Sequence, residues 1–312
     1  MMSRKATRDA YGDTLRDIAA EDHAVFAMDC DLGGSTRAAK IREVDPSRFI
    51  EMGIAEQDMV STAAGMASMG KIVFVNSFAV FLTGRAYDQI RQQVALPRSN
   101  VKLCASSSGL TQGADGATHQ SVTDINLMRG LPHMVVLSPA DAVQTDAIIR
   151  FAHTYKGPVY IRLSRYATEQ IFPDDYVFEF NQIETLRTGT DVALIATGPI
   201  LEQVLEAHTR LTARGYSCGV YHVPTIKPFD GDTLKAVAKT AGLLATVEEH
   251  SIYGGLGSAA AEVLSSIPSH PPLVRIGVQD CFGESGTADE LLCKHKLDAE
   301  GIVERITSEL HQ

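Results

Sequence analysis

Tryptophan is absent, and aromatic side chains make up only 6% of the 312 residues. No apolar run approaches the ~18 residues that a membrane span needs, and the amino terminus, MMSRKATRDAYGD, has no apolar core behind its basic residues. A cytoplasmic protein with no membrane partner is the expectation. The cysteines are five and scattered (Cys30, Cys104, Cys218, Cys281, Cys293), with no C-x-x-C pair. That argues against a disulfide framework and against a zinc site. The ten histidines lack the close spacing of helical metal ligands. Long Lys/Arg runs are missing too: 28 basic against 38 acidic residues leave a net charge of −10, and no aromatic platform is interleaved, which excludes nucleic acid as a partner. Neither G-x-x-x-x-G-K-[ST] nor G-x-S-x-G occurs, and Ser106, Ser107 and Ser108 are not set on a nucleophile elbow.

What is present is regular alternation. The length suits two domains, each able to bury a core. Residues 9–22 read as an amphipathic helix and 24–29 as a buried strand ending in DCDLGGST. Strands at 48–52, 71–77, 101–105, 134–138 and 158–163 follow, with helices at 78–97, stopped by Pro97, and 141–154 between them. Such alternation predicts α/β architecture: two parallel-sheet, three-layer domains, at 1–172 and 191–312, joined by the acidic, irregular linker 173–190. The second repeats the pattern, with strands in DVALIATGP, YSCGVYHVP, LLATVEEH and PLVRIGVQD and helices at 200–213, 231–240 and 256–266.

The stretch organising the chain is GIAEQDMVSTAAGMASMG, residues 53–70, where Glu56 leads into a helix of small and apolar residues. Met59, Ala63, Met66 and Ala67 fall three or four apart, and the Ala and Gly content lets a backbone or a flat ligand approach closely, so the helix should pack deep. Glu56 either caps backbone amides or is kept protonated by apolar surroundings; an ordinary first-turn glutamate is the plainer reading. The loop GADGATHQSVTD gathers Asp115, His119, Gln120 and Asp124 between two strands, as a ligand loop would, or as a solvated turn-rich loop would. Phe78 and Phe81 share one helical face, fit for gripping a ring or for packing a core. GLGSAA, at 255–260, with Asp280 further on, outlines a dinucleotide fingerprint, but the loop between strand and glycines is too long for one.

Taken in order, GIAEQDMV, NSFAVFLTGRAYDQIR, GLTQGADGATHQSVTD, SPADAVQT and GPVYIRLSR resemble the pyrimidine-binding domain of transketolases, while VEEHSIYGGLGSAAAEV and FGESGTADELL resemble their carboxy-terminal domain. The resemblance covers essentially the whole chain. It implies a thiamine-diphosphate-dependent transferase of a two-carbon ketol unit between sugars. The amino-terminal domain that holds the diphosphate and Mg2+ through a G-D-G motif has no match here. The chain is therefore similar to the smaller subunit of split transketolases. An N-terminal partner chain would supply that domain, in a heterotetramer of two plus two chains.

On this resemblance Glu56 hydrogen-bonds the aminopyrimidine nitrogen, the carboxyl contact that prepares the cofactor's own base. Phe78 and Phe81 pack against that ring, Asp31 lies beside the cofactor, and a third family aromatic falls on Gly84. Asp115 and His119 hold the donor hydroxyls, His119 with a catalytic proton-transfer role as well. Arg8, Ser35 and Arg165 match an acceptor-phosphate group, in which Ser107 stands where the family has histidine. The alternatives are a β subunit of a 2-oxoacid decarboxylase or acyloin-forming complex, and a non-catalytic subunit completing a partner's fold.

Overall fold

The computed structural model describes residues 4–311, so the first three residues of the 1–172 range and the last of the 191–312 range lie outside it. Two sheets carry the chain. In the seven-stranded sheet the order is Thr225–Lys227, Val135–Leu137, Val159–Arg162, Val101–Ser106, Ile72–Phe78, Val25–Asp29, Phe49–Glu51, all parallel except the first. The five-stranded sheet runs Leu273–Val278, Leu243–Ser251, Val192–Ala196, Cys218–His222, Glu184–Arg187, with only the last antiparallel.

Both faces of these sheets are covered, which is why their strands read as nearly continuous apolar runs. Along Ile72–Phe78, Val73 and Val75 enter the core under helix Glu56–Ser68, and Phe74 enters the opposite core with Tyr11, Leu15 and Ile18 of helix Thr7–Glu21. The period of two assigns each side chain its face. The chain leaves Val25–Asp29 toward the edge strand Phe49–Glu51, but leaves Ile72–Phe78 the other way, toward Val101–Ser106. Between the carboxyl ends of those adjacent strands the connections diverge and a crevice opens, the usual location of ligands in open α/β sheets.

Three differences from the sequence reading have local causes. The acidic stretch 173–190 contains the edge strand Glu184–Arg187, whose alternating exposure is too short to stand out. The predicted helix 78–97 begins as strand at Phe78, runs as Ala79–Arg85, breaks at Ala86 (φ −102, ψ 18), and finishes as Tyr87–Gln89 and a π-helical turn at Ile90–Ala95. Helix Asp124–Arg129 follows the polar loop directly and was not expected.

The two sheets are tied by a buried ion pair. Arg162 Nε meets Asp124 Oδ2 at 2.8 Å with both side chains almost wholly buried, Tyr160 Oη donates to the same oxygen at 2.7 Å, and Arg162 Nη2 donates to the Glu249 carbonyl of the second sheet at 2.9 Å. Removing the carboxylate strands a buried guanidinium. Asp124→Ala is accordingly expected to cost about 3–5 kcal/mol in denaturant unfolding; a loss below about 1 kcal/mol would show that the pair contributes little.

Candidate active site

Glu56 opens its helix after Ala55, which supplies no side-chain cap. The carboxylate is 1% exposed, yet it neither caps amides nor sits among apolar groups alone. Ser77 Oγ donates to Oε1 at 3.2 Å, and Arg85 Nη1 donates to Oε2 at 2.6 Å. Its partner is therefore Arg85, whose own side chain is half-exposed, a contact neither sequence reading had supplied. Nor does the helix pack deep throughout: Met59, Val60 and Ala63 are buried, while Gly65, Ser68 and Met69 lie exposed on the other side.

Above Glu56 lies a cavity of about 270 Å³ lined by Cys30, Asp31, Leu32, Ile54, Glu56, Phe81, Arg85 and His119. The Phe78 and Phe81 rings stack with centroids 6.0 Å apart and planes at 15°, and the His119 ring stands edge-on to Phe81 at 5.2 Å. His119 Nδ1 shares a 2.9 Å contact with the Thr118 hydroxyl. The structure thus brings Asp31, Glu56, Phe81 and His119 to one cavity, with Phe78 against its aromatic wall. A flat ring is what this volume and wall fit: an apolar face on Phe81, a buried carboxylate at the edge, and an open mouth.

Asp31 is held in left-handed backbone (φ 62), its N–H donating to Glu51 Oε1 at 2.7 Å. The turn behind it is pinned by Asp29, which takes the Leu32 N–H and the Thr36 hydroxyl, each at 2.6 Å. That turn carries Ser35, whose carbonyl accepts from Arg8 Nη1 at 3.0 Å. Arg8 Nε is buried without a partner. Burial holds the Arg8 guanidinium below its ordinary value; Asp9 offsets this in part, and Arg37 and Arg165 add to it. Three neighbouring cations and an unspent donor suit an anion.

The remaining candidates lie apart from the ring cavity. Asp115 Oδ2 is engaged by Arg165 Nη1 at 3.1 Å and by Gln112 Nε2 at 2.5 Å. Ser107 is fully buried with φ 57, its hydroxyl 3.5 Å from that of Ser106. The structure does not bring Ser107 to either cluster.

Sequence reasoning missed Arg85, Ser77 and Asp29. Arg85 carried a signal, since it stands four residues after Phe81 on one helical face; the other two depend on strand pairing. The dinucleotide outline, already set aside for its long loop, meets a second obstacle. Helix Leu256–Leu264 is capped by Glu248, whose carboxylate takes the Leu256 and Gly257 amides at 2.7 and 2.8 Å, where a pyrophosphate would have to sit. Among the described residues, no group of three or more His, Cys, Asp or Glu is placed to hold a metal ion, and no helix is long and apolar enough to cross a membrane.

A doubly wound parallel sheet with a ring-sized cavity at its switch point, followed by a second, smaller α/β unit, defines an α/β protein with a ligand-sized crevice. Comparison with known proteins is more specific. Residues 3–170 match the transketolase pyrimidine-binding domain, and 181–302 the transketolase C-terminal domain. The chain is 44% identical over 308 residues to a Methanocaldococcus jannaschii protein named as a transketolase C-terminal section, covering 98% of this chain and 96% of that one. It is 40% identical to a 6-deoxy-6-sulfo-D-fructose transketolase subunit of Clostridium sp. strain MSTE9, over 95% of this chain and 92% of that one. A solved split-gene transketolase, described as an inactive β4 tetramer, superposes with a TM-score of 0.90 at 42% identity, over 98% of each chain. The chain belongs to the transketolase family, as the carboxy-terminal subunit of a split transketolase.

Asp29 sets the pH response of the turn under this site. Burial raises its carboxyl to about 7, against the Thr36 and Leu32 hydrogen bonds that lower it. With the folded value above the unfolded one, its contribution to stability is complete below the unfolded value of 3.8 and is lost as pH rises through about 7. Asp29→Asn removes that loss. Between pH 5 and pH 8 its stability relative to wild type is expected to rise by about 2–3 kcal/mol, at 1.36 kcal/mol per pKa unit. Parallel denaturation curves across this range would show that Asp29 does not titrate there.

Proposed function

We propose that this chain supplies the pyrimidine-binding half of a thiamine-diphosphate-dependent transketolase that moves a two-carbon ketol unit between sugars. The observation that carries the reading is Glu56: a buried carboxylate at the floor of a 270 Å³ cavity walled by Phe81 and His119. Transketolases depend on thiamine diphosphate, whose thiazolium carbon supplies the chemistry once the cofactor is bound. Phe81 and Phe78 give its aminopyrimidine an apolar face, Asp31 stands at the cavity mouth, and Glu56 offers the carboxyl edge that fixes the ring's protonation.

The substrate enters from the other side of the same crevice. His119 is placed to carry a proton near the reacting carbons and Asp115 to hold hydroxyls, with Arg165 at hand for an anionic end. Arg8, with its spare buried donor, Ser35 and Arg165 favour a sugar bearing phosphate or sulfonate. Relatives named for sulfofructose and apulose-4-phosphate transketolase activity are in keeping with that class.

The diphosphate and Mg2+ belong, in this reading, to an N-terminal partner chain, and two such pairs make a heterotetramer. The exposed Gly65–Met69 side of the Glu56 helix, together with Ile54 at 74%, Met69 at 81% and Leu96 at 69% exposure, offers apolar surface for that partner. Free cysteines throughout suit the cytoplasm.

Glu56→Gln keeps the volume and loses the titratable carboxyl. In the complex with the partner chain, ketol transfer from a ketose donor to an aldose phosphate is expected to fall at least ~10²-fold in kcat. A near wild-type rate would remove Glu56 from the mechanism.

A further inference from the structure

Glu56 is not free to meet a ring in this structure, because Arg85 already does what a ring would do. Its guanidinium is planar, lies over the Phe81 ring with Cζ 5.1 Å from the centroid, and donates to Glu56 Oε2 at 2.6 Å. Arg85 also lines the 270 Å³ cavity itself. It is therefore a flat, nitrogen-bearing donor stacked on an aromatic face and bonded to the buried carboxylate, in the wall of the cavity assigned above to the aminopyrimidine.

The pair is asymmetric in a way that permits exchange. The Glu56 side chain is 1% exposed and fixed, whereas that of Arg85 is 45% exposed. Arg85 ends helix Ala79–Arg85, and the break at Ala86 follows at once. With nearly half its side chain already in solvent, Arg85 can leave without displacing a neighbour from the core. Leaving exposes the guanidinium to water at little cost, but a carboxylate left alone at Glu56 would be buried and unpaired, which is costly. Something must take the place of Arg85, either a ring nitrogen with a proton or a proton on Glu56 itself.

We propose that Arg85 is a positioning residue for Glu56 that holds the carboxylate edge of the aminopyrimidine site in the unloaded subunit and yields it to the cofactor ring on binding. The inference rests on the assignment of Glu56 to the cofactor. Its proton balance is explicit. The outgoing Arg85 keeps its charge and returns to water; one proton is taken from solvent and lies between the Glu56 carboxylate and the incoming ring nitrogen. Arg85 thus preserves the geometry of Glu56 and competes with the cofactor at once.

The test is calorimetric titration of thiamine diphosphate, with Mg2+, into the complex purified from its own cells and stripped of cofactor, at one pH in two buffers of different ionisation enthalpy. Wild type is expected to take up close to one proton. Arg85→Met, lacking the competitor, should bind about tenfold more tightly and take up fewer protons than wild type. Equal affinity and equal uptake in wild type and Arg85→Met, while Glu56→Gln binds poorly, would overturn the exchange and leave the cofactor assignment standing. Undiminished binding by Glu56→Gln would overturn both. Should Arg85→Met fail to assemble, Arg85→Lys keeps the charge without the planar fork. Tighter binding of that variant with uptake near one proton supports the exchange, and unchanged affinity refutes it.

Discussion

The buried Arg162–Asp124 pair is the constraint on which the arrangement of this chain turns. A guanidinium and a carboxylate removed from water are tolerated only when every donor and acceptor is used, and here Tyr160, the Ser121 carbonyl and the Glu249 carbonyl complete the set. Because the Glu249 carbonyl comes from the second sheet, satisfying the pair requires the two sheets to meet in one orientation. The same strand turns the Glu249 carboxylate onto the Thr111 amide at 2.5 Å, and Gln120 Nε2 reaches the Glu284 carbonyl at 2.8 Å. The loop carrying Asp115 and His119 is thereby held at both ends by the second unit.

That arrangement gives the smaller α/β unit a physical part in the site although none of its residues lines the ring cavity. Gly109 and Gly116 lie against Glu249 and Ser285 so closely that an added Cβ would stand 2.3 and 2.7 Å from their side-chain oxygens, and both glycines have φ near +78. The loop fits its floor only with glycine at these points. Its tip, by contrast, is half-exposed, which leaves His119 at the crevice mouth.

The crevice itself follows from topology. Divergent connections from Val25–Asp29 and Ile72–Phe78 leave the turn after Asp29 and the aromatic pair at Phe78 and Phe81 facing one another. Into that gap the Glu56 helix inserts one carboxylate. A ring-sized cavity results, with an aromatic wall and a carboxylate edge.

Much of this was legible in local sequence. The alternation of apolar runs with amphipathic stretches specified parallel α/β sheets, because strands buried on both faces and helices buried on one differ in period. Motif order alone, from GIAEQDMV through GADGATHQ, identified the transketolase family. The short strands Glu184–Arg187 and Thr225–Lys227 were not legible, since edge strands of four and three residues are held by their neighbours and not by pattern. Nor was the partner of Glu56: local sequence left open whether it caps amides or sits among apolar groups, and in the fold Arg85 meets it. Local spacing sets which face a residue presents. Which charge it meets there depends on segments far apart in sequence, Glu56 with Arg85 and Ser77, Asp124 with Arg162, Thr111 with Glu249, and only the folded chain brings those together.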